Sequence, residues 1–252
     1  MKRNWLYLVP LTALIIGCGS SGDETKNEGE GSIDLRTYLE KEDITKNYKL
    51  DNKELGQMLT NQYYTEVCTV TETKIERKIG GISDSIVNIG EKKLTNIDVA
   101  DDGNITTTSY RHVDVGDTLY TRDINNTKIL KVGSQEIGTQ VELGSNSCKL
   151  VEKLTKFTKG SNTYTGDILK TKCTKKVTIT TKVKDEFIGS VSYLNGTEDS
   201  VDISYYYHKK DIGLIASIND DCIPTTSGYP DDDTIECSDD KKRYSYIYYL
   251  GT

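Results

Sequence analysis

His112 and His208 are the only two histidines in this chain, so any imidazole acid–base or metal chemistry would have to run through them. His112 lies in Ser109-Tyr110-Arg111-His112-Val113, a strand-like run, and His208 stands beside Lys209 at a predicted strand end. Neither has the neighbours of a catalytic set: no HExxH, GxSxG, SxxK or P-loop pattern occurs. Both read as structural or solvated. Carboxylates are plentiful, but most sit in charged turns, where they solvate the surface. The densest group is Asp220, Asp221, Asp231, Asp232, Asp233 and Glu236, with Asp239 and Asp240 beyond. Calcium takes six to eight oxygen ligands, so these acids are the candidate calcium ligands. Their spacing is not that of an EF-hand, and a solvated acidic loop reads the same way.

The first residues do a different chemistry. Lys2 and Arg3 precede an apolar run, Trp5 to Ile16, which is too short to span a bilayer. The run ends at Leu14-Ile15-Ile16-Gly17-Cys18. This resembles the lipobox of bacterial lipoproteins: branched apolar residue, small or apolar residue, glycine, cysteine. The resemblance covers residues 1–18. It implies that residues 1–17 are a signal peptide and that Cys18 becomes the mature N-terminus, carrying a diacylglyceryl thioether. Two or three acyl chains anchor a protein stably where one is marginal. Gly19 follows, with no Asp to hold the chain at an inner membrane, so the expected address is the bacterial envelope, and the outer membrane in a Gram-negative cell. Residues 18–32 contain almost no apolar side chain and read as a disordered tether.

Lipidation of Cys18 changes the cysteine count from six to five. Export to an oxidising compartment favours pairing. Cys222 and Cys237 bracket a loop holding Pro224 and Pro230, and a disulfide closing about fifteen residues stabilises by roughly 3 kcal/mol. Cys148 and Cys173 lie 12 residues before and 13 after Gly160 in a predicted hairpin, which places them nearly opposite one another. Cys68 is then left over, and a buried free thiol is the reading that fits. No CxxC occurs, which argues against a thiol oxidoreductase or zinc cluster.

The elements that must position these residues are strands. Cleavage at Cys18 removes Lys2, Arg3 and the sole Trp, leaving 30 basic and 39 acidic residues, a net charge of −9. That argues against nucleic acid or anionic lipid as a main partner. Seventeen Tyr against two Phe imply a half-wet interior or a Tyr-studded surface. Period-two alternation is frequent: Val177, Ile179 and Val183 share one face; so do Val201, Ile203, Tyr205 and Tyr207; so do Tyr244, Tyr246, Tyr248 and Leu250. Other predicted strands include 65–78, 85–88, 94–99, 105–112, 118–122, 149–158 and 167–171. Asp101-Asp102-Gly103-Asn104, Lys159-Gly160-Ser161-Asn162 and Asn195-Gly196 mark turns. One short helix is predicted near Asp51, where Glu54 completes a capping box and Leu55, Met58 and Leu59 follow at helical spacing. Asn104 and Asn125, in Asp-x-Asn-x-Thr runs placed in surface turns, fit the extended acceptor sequon of some bacterial N-glycosylation systems.

"NTYTGDILKTKCT" (162–174) and "ISYYYHKKDIGLIASI" (203–218) resemble a paired strand pattern of poorly characterised β-rich bacterial lipoproteins. The resemblance implies a curved antiparallel sheet over the C-terminal half and no catalytic residues. His208-Lys209-Lys210-Asp211 departs from the family pattern, while Gly213 keeps a glycine that permits a sharp bend or positive φ.

The chain therefore reads as mainly β: a single antiparallel meander over 33–252 forming a strongly curved sheet or open barrel, with at most one short helix. The preferred function is a lipid-anchored, non-enzymatic envelope or surface interaction module with no cofactor. The alternatives are a carrier holding a lipid or other apolar ligand in the concave sheet and a carboxylate-based hydrolase.

Overall fold

The computed structural model describes residues 33–54, 57–99, 104–132, 134–159, 162–184, 196–222 and 242–250. The strands are β1 (Ile33–Asp34), β2 (Ile44–Glu54), β3 (Gln57–Val70), β4 (Lys74–Ile79), β5 (Ile82–Ile89), β6 (Lys93–Asp98), β7 (Ile105–Tyr110), β8 (His112–Val113), β9 (Thr118–Val132), β10 (Gln135–Lys159), β11 (Asn162–Val183), β12 (Gly196–Lys209), β13 (Gly213–Cys222) and β14 (Lys242–Leu250). Among the described residues the one helical turn is 3-10, Leu35–Tyr38.

Twelve strands form one antiparallel sheet, ordered β7-β6-β5-β4-β3-β2-β14-β13-β12-β11-β10-β9. It is two consecutive meanders, β2 to β7 and β9 to β14, joined where β14 pairs with β2. The outermost strands, β7 and β9, approach within 8 Å of each other between Cα atoms. The sheet is thus nearly closed into a barrel. The small β1–β8 ribbon pairs Asp34 with His112, and β8 lies in the connection between β7 and β9.

Alternation sorts the strands. In β2, Lys46 and Tyr48 are buried while Thr45 and Asn47 are exposed; in β3, Glu66 and Cys68 are buried while Thr65 and Thr69 are exposed. Described outer positions of β2 and β3, among them Thr45, Asn47, Thr65 and Thr69, are polar and face water. About eight strands enclose a space that side chains alone can fill; twelve leave more room. Here the chain's own N-terminal segment occupies it. Leu35 and Leu39 are fully buried and pack with Tyr48, Ile75, Val87, Leu94 and Leu150. Tyrosines supply bulk with a polar tip: the Tyr48 hydroxyl donates to the Leu214 carbonyl at 2.8 Å.

A second apolar cluster forms where the tip of the β10–β11 hairpin meets β12–β14. Register shifts at Leu150/Glu152 and Leu154/Lys156 bend the hairpin. Phe157 stacks on Tyr207, ring centroids 3.9 Å apart. Asn162 Nδ2 donates to the Leu250 carbonyl at 2.9 Å, and the Tyr164 hydroxyl donates to the same carbonyl. Cys148 and Cys173 are register partners joined by a disulfide, and Cys68 is a buried free thiol.

The structure changes three local expectations. The predicted helix near Asp51 is instead the β2–β3 hairpin, with Asn52 opposite Leu59 and Lys53 opposite Met58. Pairing of Glu54 and its neighbours with β14 overrides a local capping signal. Residues 65–78 are two strands, parted at Thr71–Thr73, where the Thr71 amide donates to the Lys74 carbonyl. Asn125 lies within β9 and not in a turn; pairing with β10 carries that strand ten residues past its predicted end at Arg122.

Candidate functional site

Three neighbouring strands each place a charge in the apolar register of their inner face. Lys46 stands between Ile44 and Tyr48, Glu66 between Tyr64 and Cys68, and Arg77 between Ile75 and Ile79. Lys46 is opposite Glu66, and Cys68 opposite Arg77. Glu40, entering from the N-terminal segment, completes the set. It is fully buried, as are Lys46 and Glu66 to within 1%. Arg77 Nη2 donates to Glu40 Oε2 at 2.8 Å and Arg77 Nε to Oε1 at 3.3 Å. The Lys46 ammonium donates to Glu40 Oε1 and lies 3.5 Å from Glu66 Oε1. The Cys68 thiol donates to Glu66 Oε1 at 3.4 Å.

Two positive and two negative charges balance, which is the condition for burying them. Burial alone would raise the Glu40 pKa, but Arg77 and then Lys46 outweigh it and hold the carboxyl well below the usual range. Burial would likewise lower Lys46 and Arg77, and Glu40 more than restores both. Burial, reinforced by Glu40, pushes the Cys68 thiol far up. Burial, then Arg77, pushes His208 well below its ordinary value, so it is neutral; it is 3% exposed and its Nδ1 has no hydrogen-bond partner.

Glu40, Glu66 and Cys68 bring ligand atoms within 4.8 Å of one another, the spacing of a metal site. The Lys46 ammonium already bonds the carboxylates, and a metal needs the thiolate form that burial disfavours. The donors do not fit a metal ion; the cluster is a closed ion-pair network. Nor is it a nucleophilic site, since Cys68 is protonated and sealed. What it does is clamp the segment 33–40 into the barrel. Glu40 also bridges to Ile212, and at Gly213 (φ 80°) a Cβ would collide with the Glu40 carboxylate. A second clamp sits at the β1–β8 ribbon: Arg111 Nε and Nη2 donate to the two Asp34 oxygens at 2.8 and 2.7 Å, with His112 Nε2 3.9 Å from Asp34 Oδ2.

The predicted site residues are scattered. Asp220 is buried in β13, and Asp221 is the next position of the same strand. Asp231, Asp232, Asp233, Glu236 and Cys237 lie outside the described residues, as does Cys18. Asn104, just before β7, and Asn125, within β9, are both exposed. His112 belongs to the outer clamp and His208 to the interior. Sequence reasoning missed Glu40, Lys46, Glu66 and Arg77. The signal for the last three was a charge standing where strand alternation calls for an apolar residue. No family model, no curated protein and no solved structure matches this chain.

Proposed function

We propose that the protein is a bacterial lipoprotein anchored through acylated Cys18, whose β domain is a non-enzymatic interaction module of the cell envelope. The observation that carries the non-enzymatic reading is the occupied interior: Leu35, Leu39 and Glu40 fill and lock the space that substrate or apolar ligand would use. The groups capable of covalent or acid–base chemistry there, Cys68 and His208, are sealed. Recognition is left to the outside of the barrel.

Intact mass spectrometry of the protein from a lipoprotein-processing bacterium tests the anchor. The expected product begins at Cys18 with added diacylglyceryl mass, and Cys18→Ser accumulates as uncleaved, unlipidated precursor. Cleavage at another bond, or a wild-type product without lipid, overturns the anchor. A stoichiometric small apolar molecule released from the purified domain would overturn the interaction module in favour of a carrier.

A further inference from the structure

The geometry points to β9 as a docking edge, and we propose that its partner is β9 of a second copy of this chain, paired antiparallel about Thr127. The proposal deepens the interaction-module reading by naming the partner; it does not depend on the lipid anchor.

β9 is a terminal strand of the twelve-stranded sheet, hydrogen-bonded along one side to β10. Its register with β10 is unbroken from Tyr120 to Leu130. Asn125, Asn126, Thr127, Lys128 and Ile129 are all exposed, five consecutive residues. Successive strand residues face opposite sides, so both faces of this stretch are open to solvent. Leu143, the register partner of Asn125, is 50% exposed, and Ile129 is 55% exposed. An edge of this kind presents a row of backbone donors and acceptors ready for another strand.

The sequence of the edge selects the occupant. A two-fold axis perpendicular to the sheet pairs residues of the same face, hence of equal parity. With Thr127 opposite its own copy, Asp123 meets Lys131, Asn125 meets Ile129, Asn126 meets Lys128, and Ile124 meets Leu130. Asp123, exposed beyond the buried Ile124, thus faces exposed Lys131, twice by symmetry, and an apolar pair forms on the inner face. Moving the axis to Asn125 sets Arg122 against Lys128, and moving it to Lys128 sets two lysines together. Opposite charges across a strand pair stabilise and like charges destabilise, so Thr127 is the favoured centre.

The test uses the full purified chain and two kinds of variant. Thr127→Cys should form a covalent dimer on mild oxidation, seen on non-reducing gels, while wild type and the exposed control Thr45→Cys, with no cysteine at the two-fold axis, form no covalent dimer. Asp123→Lys should raise the dimer dissociation constant about tenfold by sedimentation, since it loses two favourable pairs and gains two repulsive ones. The swap Asp123→Lys with Lys131→Asp should restore it. A monomeric wild type at high concentration together with no Thr127→Cys dimer overturns the proposal. So does a Thr127→Cys cross-link in intact cells to a different protein in place of a second copy. Either failure leaves the mass of the processed N-terminus unchanged, so the anchor is judged separately.

Discussion

Asp84 shows how the barrel interior treats a carboxyl that has no cation of its own. It lies near Glu66 and Asp98, one of its oxygens is buried without a hydrogen-bond partner, and burial followed by those two acids raises its pKa to about 6. Contrast Glu40, whose two cations hold it ionised. A carboxyl raised above its ordinary 3.8 contributes fully to stability below that pH and loses the contribution as pH rises through about 6. Asp84→Asn should therefore flatten the stability profile between about pH 4 and pH 6 and stabilise the protein at neutral pH by about 1–2 kcal/mol. Urea unfolding across that range measures it, and an unchanged slope would show that Asp84 ionises freely.

At the scale of elements, the segment 33–40 behaves as a strap held at both ends. Asp34 fixes one end to Arg111 and Glu40 fixes the other to Arg77 and Lys46, with Leu35 and Leu39 buried between. Glu40→Gln keeps the shape but removes the charge that two buried cations answer to. Breaking one side of a buried pair costs about 3–5 kcal/mol, because the remaining charges stay desolvated. The midpoint of denaturant unfolding should fall accordingly. A loss under about 1 kcal/mol would mean that Glu66 alone satisfies Lys46 and Arg77, within the range of a weak exposed pair.

For the whole molecule, closure rests on β14 pairing with β2, strands separated by almost the entire domain. Pairing so distant in sequence is slow to form and follows the local hairpins. Removing residues 242–252 would turn β2 and β13 into two new open edges in place of one continuous wall. The truncated chain should aggregate or lose cooperative unfolding, measured by light scattering and calorimetry. A soluble chain with an unshifted melting transition would show that the two meanders stand independently.

The strands were legible in the sequence because alternation is a local property: Val177, Ile179 and Val183, or Val201, Ile203, Tyr205 and Tyr207, declare a face within a few residues. The Cys148–Cys173 bond was legible because two residues equidistant from a tight turn meet in any regular hairpin. The glycine at 213 announced an unusual backbone, though not the carboxylate that packs against it. The capping box at Asp51 misled because local propensity is worth less than a ladder of pairs with a strand some two hundred residues away. The ion cluster stayed hidden for a related reason. Glu40, Lys46, Glu66 and Arg77 become one group only when three strands and the strap converge, and sequence spacing carries no record of that convergence. Local periodicity determined that this chain is a curved antiparallel sheet; long-range pairing alone decided that the sheet nearly closes, that the segment 33–40 fills it, and that β9, among the described residues, is a terminal strand paired along one side with β10.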